Sequence, residues 1–168
     1  MANFILQRYP ALGFPRYRRY WFASFASVGA TQLVTLGQGW LVFKLSGSAL
    51  QLGLLGAAAA LPNIIMTLAG GVLADRFDKR RIMLATSLSL SALLGVLAWL
   101  DFSGHVVVWH VLAVAAMFSL ITGIDWPVRV SLYPQLVDRP AFMSAVALNS
   151  FIWQASRMAM PAAGGLLI

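Results

Sequence analysis

Long apolar runs, each the length a helix needs to cross a bilayer, constrain this chain more than any other feature. A hydrocarbon core about 30 Å thick takes about 20 helical residues. Windows of that size fall between charged or Gly/Ser-rich breaks at approximately residues 20–43, 50–74, 82–100, 106–124 and 143–168. Composition agrees: 60% of residues are hydrophobic, 10% are charged, and the mean hydropathy is +0.80. Soluble domains run at about 45–50% apolar and about 25% charged. The expected fold class is all-α and transmembrane, with five membrane-spanning helices surrounded by lipid bilayer.

Charge placement then orients the spans. Arg8, Arg16, Arg18 and Arg19 precede the first, Arg76, Lys79, Arg80 and Arg81 fill a second connection at 75–81, and Arg129 and Arg139 sit in a fourth at 125–142. These ten fall on one side of the membrane, and Lys44 alone on the other. By the positive-inside rule the N-terminus is cytoplasmic, and five crossings would leave residue 168 outside. The net charge of +7 is thereby topological, and no nucleic-acid partner is expected. The run from Trp21 to Phe43 exceeds the 7–15 or so residues of a signal core, so it is read as a retained anchor. With no cysteine, disulfides, thiolate metal sites and a thiol nucleophile are excluded.

The connections "KLSGSAL" and "DFSGHV" read as short Gly/Ser turns. In the fourth connection Pro127, Pro134 and Pro140 argue against one continuous helix, and a short interfacial helix is expected over 129–137. Tyr9, Tyr17, Tyr20, Trp21, Trp109, Trp126 and Tyr133 fall near span ends, where amphipathic rings meet the interface. Gly53, Gly56, Ala60, Asn63, Thr67 and Gly71 form a small-residue stripe suited to close helix contact.

The segment "GGVLADRFDKRRIM", residues 70–83, holds six of the 17 charged residues within positions 75–81. It resembles the loop between helices two and three of the major facilitator superfamily, Gly-x-Leu-Ala-Asp-Arg-x-Gly-Arg-Lys. Gly71, Leu73, Ala74, Asp75, Arg76, Lys79 and Arg80 match, and Asp78 stands where many members have Gly. That departure and the flanking "LSGSALQLGLLGAAAALPN" resemble the enterobactin-exporter and macrolide-efflux branch. The resemblance implies a secondary transporter in a bacterial inner membrane, exporting small molecules by alternating access, without a cofactor. It also implies twelve helices, so a further C-terminal half is expected beyond this partial fold. Gly71, Asp75, Arg76, Lys79 and Arg80 would form a conformational latch on the cytoplasmic side. A carboxylate at the C-terminal end of a helix opposes the macrodipole by a few tenths to about 1 kcal/mol, so Asp75 should have partners. "RMAMPAAGG" resembles the helix-five antiporter motif through Pro161, Gly164 and Gly165, with Met160 in place of its first Gly.

Arg157 lies well inside the last span, where an unpaired Arg costs about 2.5–3.5 kcal/mol, so an interior position is expected. It shares a helical face with Asn149, Trp153, Met160 and Gly164. Two readings stand: a cavity residue that meets substrate or responds to proton coupling, or a structural Arg capping a neighbouring helix. Gln32, Thr35, Gln38 and Asn63 are candidate cavity groups, or simply interhelical hydrogen-bonders. Asp125 would pair the nearby arginines. Glu is absent and no Asp lies deep in a span, so a carboxylate carrying a coupling proton would lie beyond residue 168. His105 and His110 point about 140° apart on a helix and cannot share one ion. No nucleophile elbow, metalloprotease or phosphate-loop motif supports an enzyme. The competing reading is a truncated, transport-incompetent product or a scaffold that needs another chain.

Overall fold

The computed structural model describes residues 9–166, with the side chains of residues 72–76 and of Tyr133 outside the described set. The helices are α1 (Pro15–Ser46), α2 (Ala49–Arg76), α3 (Lys79–Phe102), α4 (Val108–Val130), the single turn α5 (Tyr133–Leu136) and α6 (Phe142–Gly165). Two 3-10 turns, Pro10–Gly13 and Arg139–Ala141, precede α1 and α6. No strand occurs among the described residues.

Helix boundaries follow local chemistry. α1 opens on Pro15, at the first helical position where a missing N–H costs nothing. Arg16, Arg18 and Arg19 therefore lie inside the first turns of α1 rather than ahead of it. Gly47 (φ +60°) and Gly104 (φ +72°) end α1 and the turn after α3 in the left-handed region that Gly enters freely. The Ser46 hydroxyl donates to Val42 O at 2.7 Å and accepts from Ser48 N at 3.2 Å, joining α1 to α2. α2 reaches Arg76, and Asp78 accepts from the backbone N–H groups of Arg80 and Arg81 at 2.9 and 3.1 Å, capping α3. The charged connection thus shrinks to Phe77 and Asp78. α4 runs through Pro127 to Val130, six residues beyond the expected end at 124, because a proline near a C-terminus removes only one helical bond. The interfacial helix expected over 129–137 is confined to Tyr133–Leu136.

The chain divides into two compact units, residues 38–131 and residues 1–37 with 132–168. In the first, α4 is central: half of its apolar span is buried, and it packs along both α2 and α3. Its core joins Leu41, Val42, Leu55, Leu97, Val111, Leu112, Val114 and Ala115. In the second, Ala11, Tyr17, Val137, Ala141, Ala145 and Leu148 form the core. Tyr17 is not the interfacial ring its position suggested: it is buried, and its Oη donates to Ala145 O at 2.9 Å. Burial first, then the neighbouring Tyr20, push its phenol above the ordinary value, so it stays a neutral donor. Trp21 Nε1 likewise donates to Leu148 O at 3.3 Å.

Among the described residues, three helices are long and apolar enough to cross a membrane by length and composition: Ala49–Gly71 within α2, α3 and α4. α1 and α6 have 32 and 24 residues but are interrupted by polar groups such as Gln32, Gln38, Asn149 and Arg157. Leu61, Ile64, Ile65 and Leu68 on α2 and Leu84, Leu88 and Trp99 on α3 are exposed. A soluble surface rarely leaves so many large apolar side chains together, whereas lipid covers them without cost.

Candidate functional site

The charged connection sits where the C-terminal ends of α2 and α4 meet the N-terminal end of α3. Lys79 Nζ donates to Ser131 O at 3.1 Å, placing a cation on the carbonyl end of α4 where the macrodipole favours it. One helical turn before that end, Asp125 is buried; it accepts from Thr86 Oγ1 at 2.7 Å and pairs with Arg129 Nε. The carboxylate thereby ties α3 to α4 and neutralises a guanidinium that is itself largely buried. The expected pairing of Asp125 with an arginine is present, on its own helix one turn away.

α2 meets α4 a turn deeper. A Cβ at Gly70 would lie 2.8 Å from Pro127 Cγ and 2.9 Å from Ile124 Cα, and one at Gly123 would lie 2.8 Å from Met66 Cβ. Asn63 Nδ2 donates to Ser119 O at 3.4 Å, the interhelical alternative of its two readings. The face of α2 that contacts α4 is thus Asn63, Met66 and Gly70. Of the small-residue stripe expected for close helix contact, Asn63 lies on this face, whereas Gly53, Gly56 and Gly71 have no atom within 4 Å of an added Cβ.

Among the latch candidates, Lys79 is anchored as above, and Arg80 is exposed. Gly71 is half-buried beside open space, and the side chains of Asp75 and Arg76 lie outside the described residues. Arg8, used for orientation, also lies outside them. In the other unit α1 and α6 run side by side. A Cβ at Gly29 would meet Met160 Cε at 3.1 Å, and one at Gly164 would meet Leu36 Cδ2 at 2.6 Å. Gly164 is therefore a contact glycine, Pro161 is half-buried beside it, and Gly165 is exposed. Asn149, Trp153 and Gln32 are half-buried, whereas Arg157 is exposed. Gln38, in the first unit, is buried with Nε2 unpartnered among the described residues. No cluster of three or more His or Asp side chains that could hold a metal ion occurs among the described residues, and His110 Nδ1 accepts from Val107 N at 3.4 Å at the start of α4.

Asp78 and Thr86 were not singled out as functional positions from sequence. An Asp directly before a helical run was a readable cap signal for the first. For Thr86 no local signal exists, since its partner is 39 residues away.

Long helices with bare apolar flanks, closed by charged groups at one end, define a polytopic α-helical membrane protein. More narrowly, the chain belongs to the major facilitator superfamily, for the family model described as "Transmembrane secretion effector" matches residues 9–168. It is 33% identical over 159 residues to the multidrug efflux pump Tap of Mycobacterium tuberculosis, covering 86% of this chain and 38% of that protein. It is 28% identical over 155 residues to macrolide efflux protein A of Streptococcus pyogenes, covering 88% and 38%. With the staphyloferrin A transporter of Staphylococcus aureus it shares 25% identity over 152 residues, covering 89% and 38%. The chain thus spans under two fifths of the length of these relatives. No solved structure matches it.

Proposed function

We propose that this chain is part of a secondary active transporter that exports small molecules across a bacterial inner membrane by alternating access. The observation that carries the reading is the family match across residues 9–168, on helices whose exposed flanks are apolar. Two of the named relatives are called efflux proteins, which supports the outward direction. In this reading Asp75 and Arg76, with Gly71, Lys79 and Arg80, form the cytoplasmic latch; the anchoring of Lys79 on α4 supports a role at that helix end. Arg157, Asn149, Trp153 and Gln32, all in one unit, face the translocation path, and a proton is the coupling ion. Whole-protein transport in this reading uses helices that the relatives carry outside the matched 38%, so residues 1–168 alone and residues 1–168 joined to such helices should behave differently.

A chimera separates the two. Residues 1–168 replace the matching part of macrolide efflux protein A, and macrolide accumulation is measured in cells without other efflux pumps. The chimera should lower accumulation several-fold and residues 1–168 alone should not, because alternating access needs two repeats moving about a shared site. Asp75→Asn in the chimera should slow export and shift cysteine accessibility toward the inward-open state. A membrane-inserted chimera that leaves accumulation unchanged would sink the transporter reading.

A further inference from the structure

The short connection before α6 and the first turn of α1 enclose a groove that neither the transport reading nor the family resemblance uses. Its volume is about 480 Å³, within the range of ligand sites, and both walls belong to one unit. Phe14, Pro15 and Arg16 form one wall, and Leu136, Val137 and Asp138 the other. Val137 is fixed in the core with Ala11, Tyr17 and Ala141, so the groove has a rigid floor.

Two opposite charges line this groove without neutralising each other. Arg16 and Asp138 are both exposed, and neither makes a side-chain hydrogen bond or ion pair among the described residues. The groove therefore offers an anion receptor and a cation receptor side by side over apolar surface. Its depth is also set: Arg16 lies four residues before Tyr20, where the apolar run begins, or about 6 Å along the helix. The polar headgroup layer on each side of a bilayer is about 5–8 Å thick.

We propose that this groove holds the headgroup of a zwitterionic phospholipid with a primary amine, phosphatidylethanolamine. Arg16 takes the phosphate through its planar fork, and the Asp138 carboxylate accepts hydrogen bonds from the ammonium. Phe14, Pro15 and Leu136 cover the glycerol end. Phosphatidylglycerol offers Asp138 no cation. Phosphatidylcholine offers a quaternary ammonium with no N–H to donate. Arg18 and Arg19, on the same helix turns, do not line the groove and add only general attraction.

The test uses the full chain in nanodiscs with equal fractions of the three lipids, extracted gently, with retained lipid counted by mass spectrometry. Phosphatidylethanolamine should be enriched over the other two. Arg16→Gln and Asp138→Asn should each lower that enrichment about five- to tenfold, the loss of one charge-assisted hydrogen bond. Arg18→Gln should leave it unchanged. Both groove side chains are exposed, so helicity measured by circular dichroism should survive each substitution, and either variant alone suffices for the comparison. Equal retention of phosphatidylglycerol or phosphatidylcholine overturns the proposal, as does an Arg18→Gln loss as large as that of Arg16→Gln, which would reduce the effect to net charge.

Discussion

Neighbouring glycines on α2 have opposite surroundings. A Cβ at Gly70 would press on the backbone Cα of Ile124 and the ring of Pro127, whereas one at Gly71 would enter open space. Overpacking costs about 1–3 kcal/mol where backbone must yield, and the better helix propensity of Ala returns about 1 kcal/mol at most. Gly70→Ala should therefore lower the melting temperature of the detergent-solubilised chain, while Gly71→Ala should leave it equal or higher. Thermal unfolding of the two variants side by side is the measurement, and equal shifts would show that α2 and α4 do not approach as described. The same pair bears on the latch. If Gly71→Ala slows export in the chimera while the fold is unharmed, the motif glycine acts through groups other than α4, which it does not touch.

Capping explains the departure from the family pattern at the scale of the helix. Asp78 replaces a turn glycine and supplies two hydrogen bonds to the first turn of α3, which otherwise starts on Lys79, Arg80 and Arg81 against the positive end of the dipole. Asp78→Ala should cost about 1 kcal/mol and fray this end. Hydrogen exchange should quicken at Arg80 and Arg81 but not at the α4 amides, and uniform quickening would point to global unfolding instead. Elements of this kind were largely legible in the sequence: apolar windows located the long helices, and the turns at Gly47 and Gly104 were marked by Gly and Ser. Contacts between elements were not. A run of small residues at spacings of three and four covers adjacent faces about 100° apart per residue, so Gly70 and Gly71 cannot be ranked before α4 is in place. Tyr17 was misread for the same reason, since its acceptor, Ala145 O, lies 128 residues away. The charged connection was found through its motif, but its shortness depends on the caps and on Pro127 being tolerated inside α4.

Across the whole molecule, polarity is divided between the helices. The three that hold a stretch apolar enough to cross a membrane, α2, α3 and α4, pack together in one unit, while α6 and the N-terminal part of α1 make the other and carry Gln32, Asn149 and Arg157. Insertion of an apolar helix is favourable on its own, but the more polar two depend on flanking charge to fix their direction. Here that charge is lopsided: Arg8, Arg16, Arg18 and Arg19 precede the first span, and Arg129 and Arg139 precede the last. Reporter fusions after residue 78 and at residue 168 should consequently read opposite sides, cytoplasmic for the first and external for the second. Moving the charge should move the topology. Replacing Arg16, Arg18 and Arg19 with Gln, with three Lys introduced around Lys44, should invert the first span in a measurable fraction of molecules. Cytoplasmic signal from both fusions in the unaltered chain would mean that α6 does not cross, despite a length of 24 residues, about 36 Å at the α-helical rise. Its polar face would then need cover from protein or water rather than from lipid.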